Sequence, residues 1–147
     1  MSDTGSLQAI YLRPSSRTPV REVQRAEAEA GTGLVDDHAG AGKRQITLLS
    51  REAWDAACAA LGKTLDPGLR RANLLVSGVD LGAALGKRLT VGEVEIEVVG
   101  ETKPCQLMDD TALGLHDALR PERRGGVYGR VLTGGPLEVG MPVRVEG

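Results

Sequence analysis

Twenty glycines break this chain of 147 residues into short pieces, and that punctuation limits what it can fold into. They gather at 31–42, 78–92, 125–129 and 134–140. Each glycine inside a helix costs about 1 kcal/mol relative to alanine, so closely spaced glycines oppose long helices and favour short strands joined by turns. Between them the pattern predicts strands at Leu7–Leu12, Arg44–Leu49, Asn73–Ser77, Arg88–Val91, Val94–Val99 and Val127–Thr133, with Val143–Glu146 closing the sheet. Val94, Ile96 and Val98 alternate with Glu95 and Glu97, the mark of a strand with one wet face. Residues 20–30 are contested. Ala and Glu favour helix, but Gln24, Ala26, Ala28 and Ala30 alternate with Arg25, Glu27 and Glu29, and that period of two favours strand.

One helix is clearly signalled. Ser50 is a good N-cap, residues 51–61 place Ala53, Trp54, Ala57, Cys58 and Leu61 on one face, and Gly62 stands just past the end. Asp66-Pro67-Gly68 reads as a turn. A short helical region is expected between Cys105 and Arg120, anchored by Leu113 with Leu115, Ala118 and Leu119. Seven or eight short strands with one or two helices give a mostly β (or mixed α/β) fold of barrel type in a single domain. With one Trp, two Tyr and no Phe, the core must be aliphatic.

The net charge of −2 gives no electrostatic reason to expect nucleic-acid or membrane binding. The start, residues 1–12, is too polar for a signal peptide, and no apolar run approaches the ~20 residues of a membrane helix. Cytoplasm is the expected location. Cys58 and Cys105 stand in unlike contexts and read as free thiols rather than a disulfide.

Cys58 lies on the apolar face of the helix and reads as core. Cys105 follows Pro104, where a strand ends, and Lys103 is two residues before it. A thiol entering a turn beside a cation is favoured as thiolate. The same residue could equally be a buried structural cysteine. Asp36, Asp37 and His38 match no strong metal-ligand spacing, and His116 is distant in sequence. They read instead as a polar loop in which one acid accepts backbone N–H groups. The cations Lys43, Arg44, Arg70, Arg71, Arg123, Arg124 and Arg130 would form an anion pocket if they converge. Arg130 stands out because it interrupts an apolar strand. Nucleophile-elbow, Walker and dinucleotide motifs do not occur in the sequence.

Several segments together resemble the MOSC family, named for the C-terminal domain of molybdenum-cofactor sulfurases. They are residues 33–40 (GLVDDHAG), 44–50 (RQITLLS), 71–81 (RANLLVSGVDL), Pro104-Cys105, and 126–132 (GVYGRVL) with 139–143 (VGMPV). The resemblance spans roughly 20–145, giving a domain over 20–147 with residues 1–19 as a strand and loop of the same unit. It implies a β-barrel and makes residues 20–30 strand. It implies that Cys105 carries sulfur as a persulfide or ligates molybdenum. It further implies that Arg44, Arg71, Asn73 and Arg130, joined by Lys103, line a pocket for a pyranopterin molybdenum cofactor. Relatives often have Gly where this chain has Asp36. The family is also linked to pyridoxal phosphate, but the desulfurase domain that would hold it is not matched here, nor is a ferredoxin segment. Sulfur or electrons would therefore come from a separate desulfurase or electron-transfer protein. The expected function is a sulfur- or cofactor-handling module. The alternatives are an oxidoreductase component reducing N-hydroxylated compounds, and a non-catalytic barrel with a structural cysteine.

Overall fold

The computed structural model describes residues 4–15, 19–37, 44–102, 114–119 and 125–146. Cys105, Lys103, Lys43, His38, Leu113, Arg123 and Arg124 lie outside the described residues, as does the His116 side chain.

The strands are β1 (Thr4–Leu12), β2 (Arg21–Val23), β3 (Arg25–Glu29), β4 (Gly33–Leu34), β5 (Ile46–Ser50), β6 (Leu74–Ser77), β7 (Arg88–Val91), β8 (Val94–Glu101), β9 (Val127–Thr133), β10 (Gly135–Glu138) and β11 (Pro142–Glu146). The helices are α1 (Arg51–Leu61) and α2 (Leu115–Leu119), with a 3-10 turn at Pro67–Arg70. Strands run in the order β11-β7-β8-β9-β5-β6-β1, and β1 pairs back onto β11, closing a seven-stranded barrel. β2 is an eighth strand added to the far half of β1. β5 and β6 run parallel, with α1 and the 3-10 turn forming the crossover between them.

The barrel interior is aliphatic, as the scarcity of aromatics required. Leu7, Ile46, Leu48, Leu74, Leu89 and Ile96 are fully buried in it. A three-stranded sheet, β10-β3-β4, contributes Ala28, Leu34 and Leu137 to the same core. A second core lies between the wall and the helices. β5 is buried on both faces, so Ile46 and Leu48 point inward while Leu49 meets Trp54, Ala57 and Cys58 of α1 and Leu115 and Leu119 of α2. α1 begins and ends where its caps dictate. The Ser50 hydroxyl accepts from the Ala53 N–H at 3.1 Å, and Gly62 turns left-handed at φ 66°. The Trp54 indole donates to Leu65 O at 2.9 Å, which satisfies its buried N–H.

Three expectations need correction. Eleven strands are present among the described residues, not seven or eight. Residues 20–30 are strand, but they break at Gln24 into β2 and β3, which serve different sheets. β4 sits inside the stretch expected as loop, and β10 was not foreseen. Both are short pieces paired only to β3, so neither shows a run of alternation long enough to read.

Candidate functional site on the outer barrel face

Alternation decides which β9 side chains leave the barrel. Val127, Gly129 and Val131 are buried, whereas Tyr128 and Arg130 are half-exposed and point outward. Arg130 therefore does not interrupt an apolar strand; it occupies a regular outward position. Thr47 of β5 and Gly100 of β8 flank Tyr128 in register. The Tyr128 ring lies over Gly100, where a Cβ would come within 2.6 Å of the tyrosine hydroxyl, so glycine is what admits the ring. The exposed Arg44 guanidinium sits over that ring, 5.7 Å from its centroid, in cation–π range. Arg130 Nη1 is 3.9 Å from Glu97 Oε1, a loose pair with both side chains well exposed. Its Nε is buried and has no hydrogen-bond partner.

Beside this face the ends of β1, β5 and β6 are joined by buried polar bonds. Asn73 is fully buried. Its Oδ1 accepts from Thr47 N at 3.0 Å and Thr47 Oγ1 at 3.2 Å, and its Nδ2 donates to Tyr11 O at 3.2 Å. Arg13 grips Asp37: the backbone N–H of Arg13 donates to Oδ1 at 2.6 Å, and Nη2 donates to Oδ2 at 3.0 Å. The Asp37 carboxylate is completely enclosed and, as the polar-loop reading of this segment expected of one of its acids, accepts a backbone N–H. Asp36 holds the left-handed conformation at φ 67°. Aspartate tolerates that region better than most residues, so the turn forms without a glycine there.

The sequence had marked Arg70 only as one cation among several. Its Nη2 donates to Thr102 O at 2.7 Å and its Nε to Gly125 O at 3.1 Å. The Thr102 hydroxyl also donates to Gly125 O at 2.8 Å. These bonds fix the two strand ends bordering residues 103–124. Thr102 stands three residues before Cys105.

The structure thus gathers Arg44 and Arg130 around Tyr128. Asn73 adjoins them through Thr47, but its carboxamide is engaged in joining strands. Arg71, left-handed at φ 65°, reaches away to donate to Ser15 O at 2.9 Å. Arg13, Thr47 and Tyr128 were not foreseen as part of this region. The alternation within residues 127–133 would have put Tyr128 beside Arg130, whereas nothing near Arg13 signals its distant partner Asp37. Among the described residues no three His, Cys, Asp or Glu side chains are grouped to hold a metal, and no helix is long and apolar enough to cross a membrane.

Several solved structures share this architecture, among them the following three. The YuaD protein of Bacillus subtilis superposes with a TM-score of 0.79 at 19% identity, covering 97% of this chain and 95% of its own. YiiM of Geobacillus stearothermophilus gives 0.76 at 19% identity, covering 96% and 75%. YiiM of Escherichia coli gives 0.72 at 15% identity, covering 97% and 70%. At such identity they speak for the fold alone. Comparison with curated proteins gives no significant match. The family model of the MOSC domain matches residues 35–144, most of the chain. This protein therefore belongs to the MOSC domain family, a family associated with the molybdenum cofactor.

Proposed function

We propose that this chain is a molybdenum-cofactor- or sulfur-handling module whose working atom is the Cys105 thiolate. The observation that carries the reading is the Arg44–Tyr128–Arg130 face, which adjoins the strand end leading to that cysteine. Thr102 precedes Cys105 by three residues, and three residues of chain span at most about 11 Å. The polar groups suit an anionic cofactor: a buried guanidinium Nε lacks an acceptor, and an exposed guanidinium is already oriented on an aromatic ring. Arg44 and Arg130 would hold the cofactor phosphate by charge-assisted hydrogen bonds. Asn73, Arg13 and Asp37 would keep the strand ends beneath them in place.

The cofactor, when bound, supplies a soft metal centre that thiolate and sulfide both favour. In the sulfur-carrying role the Cys105 thiolate attacks the outer sulfur of a donor persulfide. The donor leaves as thiolate, and Cys105 becomes the persulfide, with no net redox change.

Native mass spectrometry of protein made in a cofactor-producing host tests this. Molybdenum with pterin, or a one-sulfur adduct on Cys105, is expected, and Cys105→Ser should abolish both. Arg44→Gln or Arg130→Gln should weaken cofactor retention roughly ten- to a hundredfold, the worth of one charged hydrogen bond. Wild-type protein with neither adduct, and no affinity for added cofactor, would overturn the reading.

A further inference from the structure

A second concave site lies away from the Tyr128 face. Tyr11 of β1 and Glu22 of β2 are direct cross-strand partners, so their side chains share one side of the ladder. Opposite them runs the 3-10 turn, with Asp66 as its N-cap and Arg71 as its C-cap. Between these elements is a cleft of about 460 Å³, in the range that takes a small organic molecule. Gly68 forms its floor. A Cβ there would lie 3.1 Å from Asp66 Oδ1, 3.2 Å from Tyr11 Cε1 and 3.3 Å from Val20 Cγ2, so the glycine lets the turn pack closely against those three side chains.

Tyr11 is only 5% exposed, yet its hydroxyl has no hydrogen-bond partner among the described residues, and the residue lines the cleft. The hydroxyl oxygen is not among the enclosed polar atoms left without a partner, so it opens on the cleft, where a ligand can donate to it. Burial, with the Glu22 and Asp66 carboxylates adding to it against a smaller effect of Arg51, pushes the phenol up to about 12. It stays a neutral hydroxyl at any physiological pH.

The chemistry of the walls selects the ligand. Two carboxylates and a hydroxyl are three acceptors, and an ammonium group brings three donors. Among the described residues the one cation of the lining, Arg71, already donates to Ser15 O. Val20, Pro19 and the 41%-exposed Leu69 offer an apolar wall for a short hydrocarbon chain. We propose that this cleft binds a small primary alkylammonium ion, its nitrogen among Tyr11, Glu22 and Asp66 and its alkyl body against Val20 and Leu69.

Titration with 3-methylbutylamine, followed by amide NMR on the intact chain, tests this. Saturable shifts are expected at Tyr11, Val20 and Gly68. Affinity should fall roughly tenfold in Glu22→Gln and several-fold in Tyr11→Phe, as for loss of a charged and a neutral hydrogen bond. Glu22 is exposed, so its variant keeps the fold, which an unchanged melting temperature would verify. The uncharged 3-methylbutanol should bind at least tenfold more weakly. No saturable shift in the wild type, equal affinity for the alcohol, or undiminished affinity in Glu22→Gln would each overturn the assignment.

Discussion

Arg13→Met removes a guanidinium from a carboxylate that has no access to water. The Asp37 side chain is 0% exposed and that of Arg13 16%. Loss of the side chain strips Asp37 of donors at 3.0 and 3.3 Å and leaves it the single backbone N–H at 2.6 Å. Asn73 Oδ1 loses only a 3.4 Å contact and keeps Thr47, so the cost falls on Asp37. Breaking one side of a buried pair costs roughly 3–5 kcal/mol, and the partial exposure of Arg13 places this case near 3. With a urea m-value of about 2 kcal/mol/M, the unfolding midpoint should fall by about 1.5 M. Equilibrium urea denaturation followed by Trp54 fluorescence reads it. Asp37→Leu combined with Arg13→Met should recover much of the loss, because an apolar pair leaves no stranded charge. A loss below about 1 kcal/mol in Arg13→Met would refute the reasoning, since the pair would then behave as a screened surface contact.

Gly129→Ala would put a Cβ 2.1 Å from the backbone oxygen of Glu97 on the paired strand, where no rotamer can relieve it. We expect a melting temperature lower by about 8 °C, from a loss of about 3 kcal/mol; a drop under about 2 °C would mean that β8 and β9 pair differently. Tyr11 also sets an alkaline limit. Its folded value of about 12 lies above the ordinary 10, so folding favours the protonated phenol. Its contribution is whole below pH 10 and is lost as pH rises toward 12, by at most about 3 kcal/mol. Stability of the wild type should therefore fall relative to Tyr11→Phe over that window, and curves that stay parallel would contradict the buried-phenol argument.

Much of the fold is written locally. The α1 boundaries follow from Ser50 and Gly62, and β7 and β9 from flanking glycines and alternation. β4 and β10 are not legible, because two and four residues carry no period and acquire strand geometry only by pairing with β3. The site divides in the same way. The placing of Tyr128 and Arg130 on one face follows from a period of two. The Arg13–Asp37 grip and the Arg70 bonds join residues far apart in sequence, through side chains long enough to reach many partners. The burial of Asn73 was equally hidden, since asparagine before a strand is more often an exposed turn residue.

The pairing of Thr4 with Arg144 has a kinetic consequence. Ring closure joins two strands far apart along the sequence, so the barrel stays an open sheet until both have folded onto it. Folding should be slow for a domain of this size, since loop-closure entropy must be met before the final ladder rewards it. Until then β1 and β7 present bare edges, the period in which this chain is most exposed to misassociation.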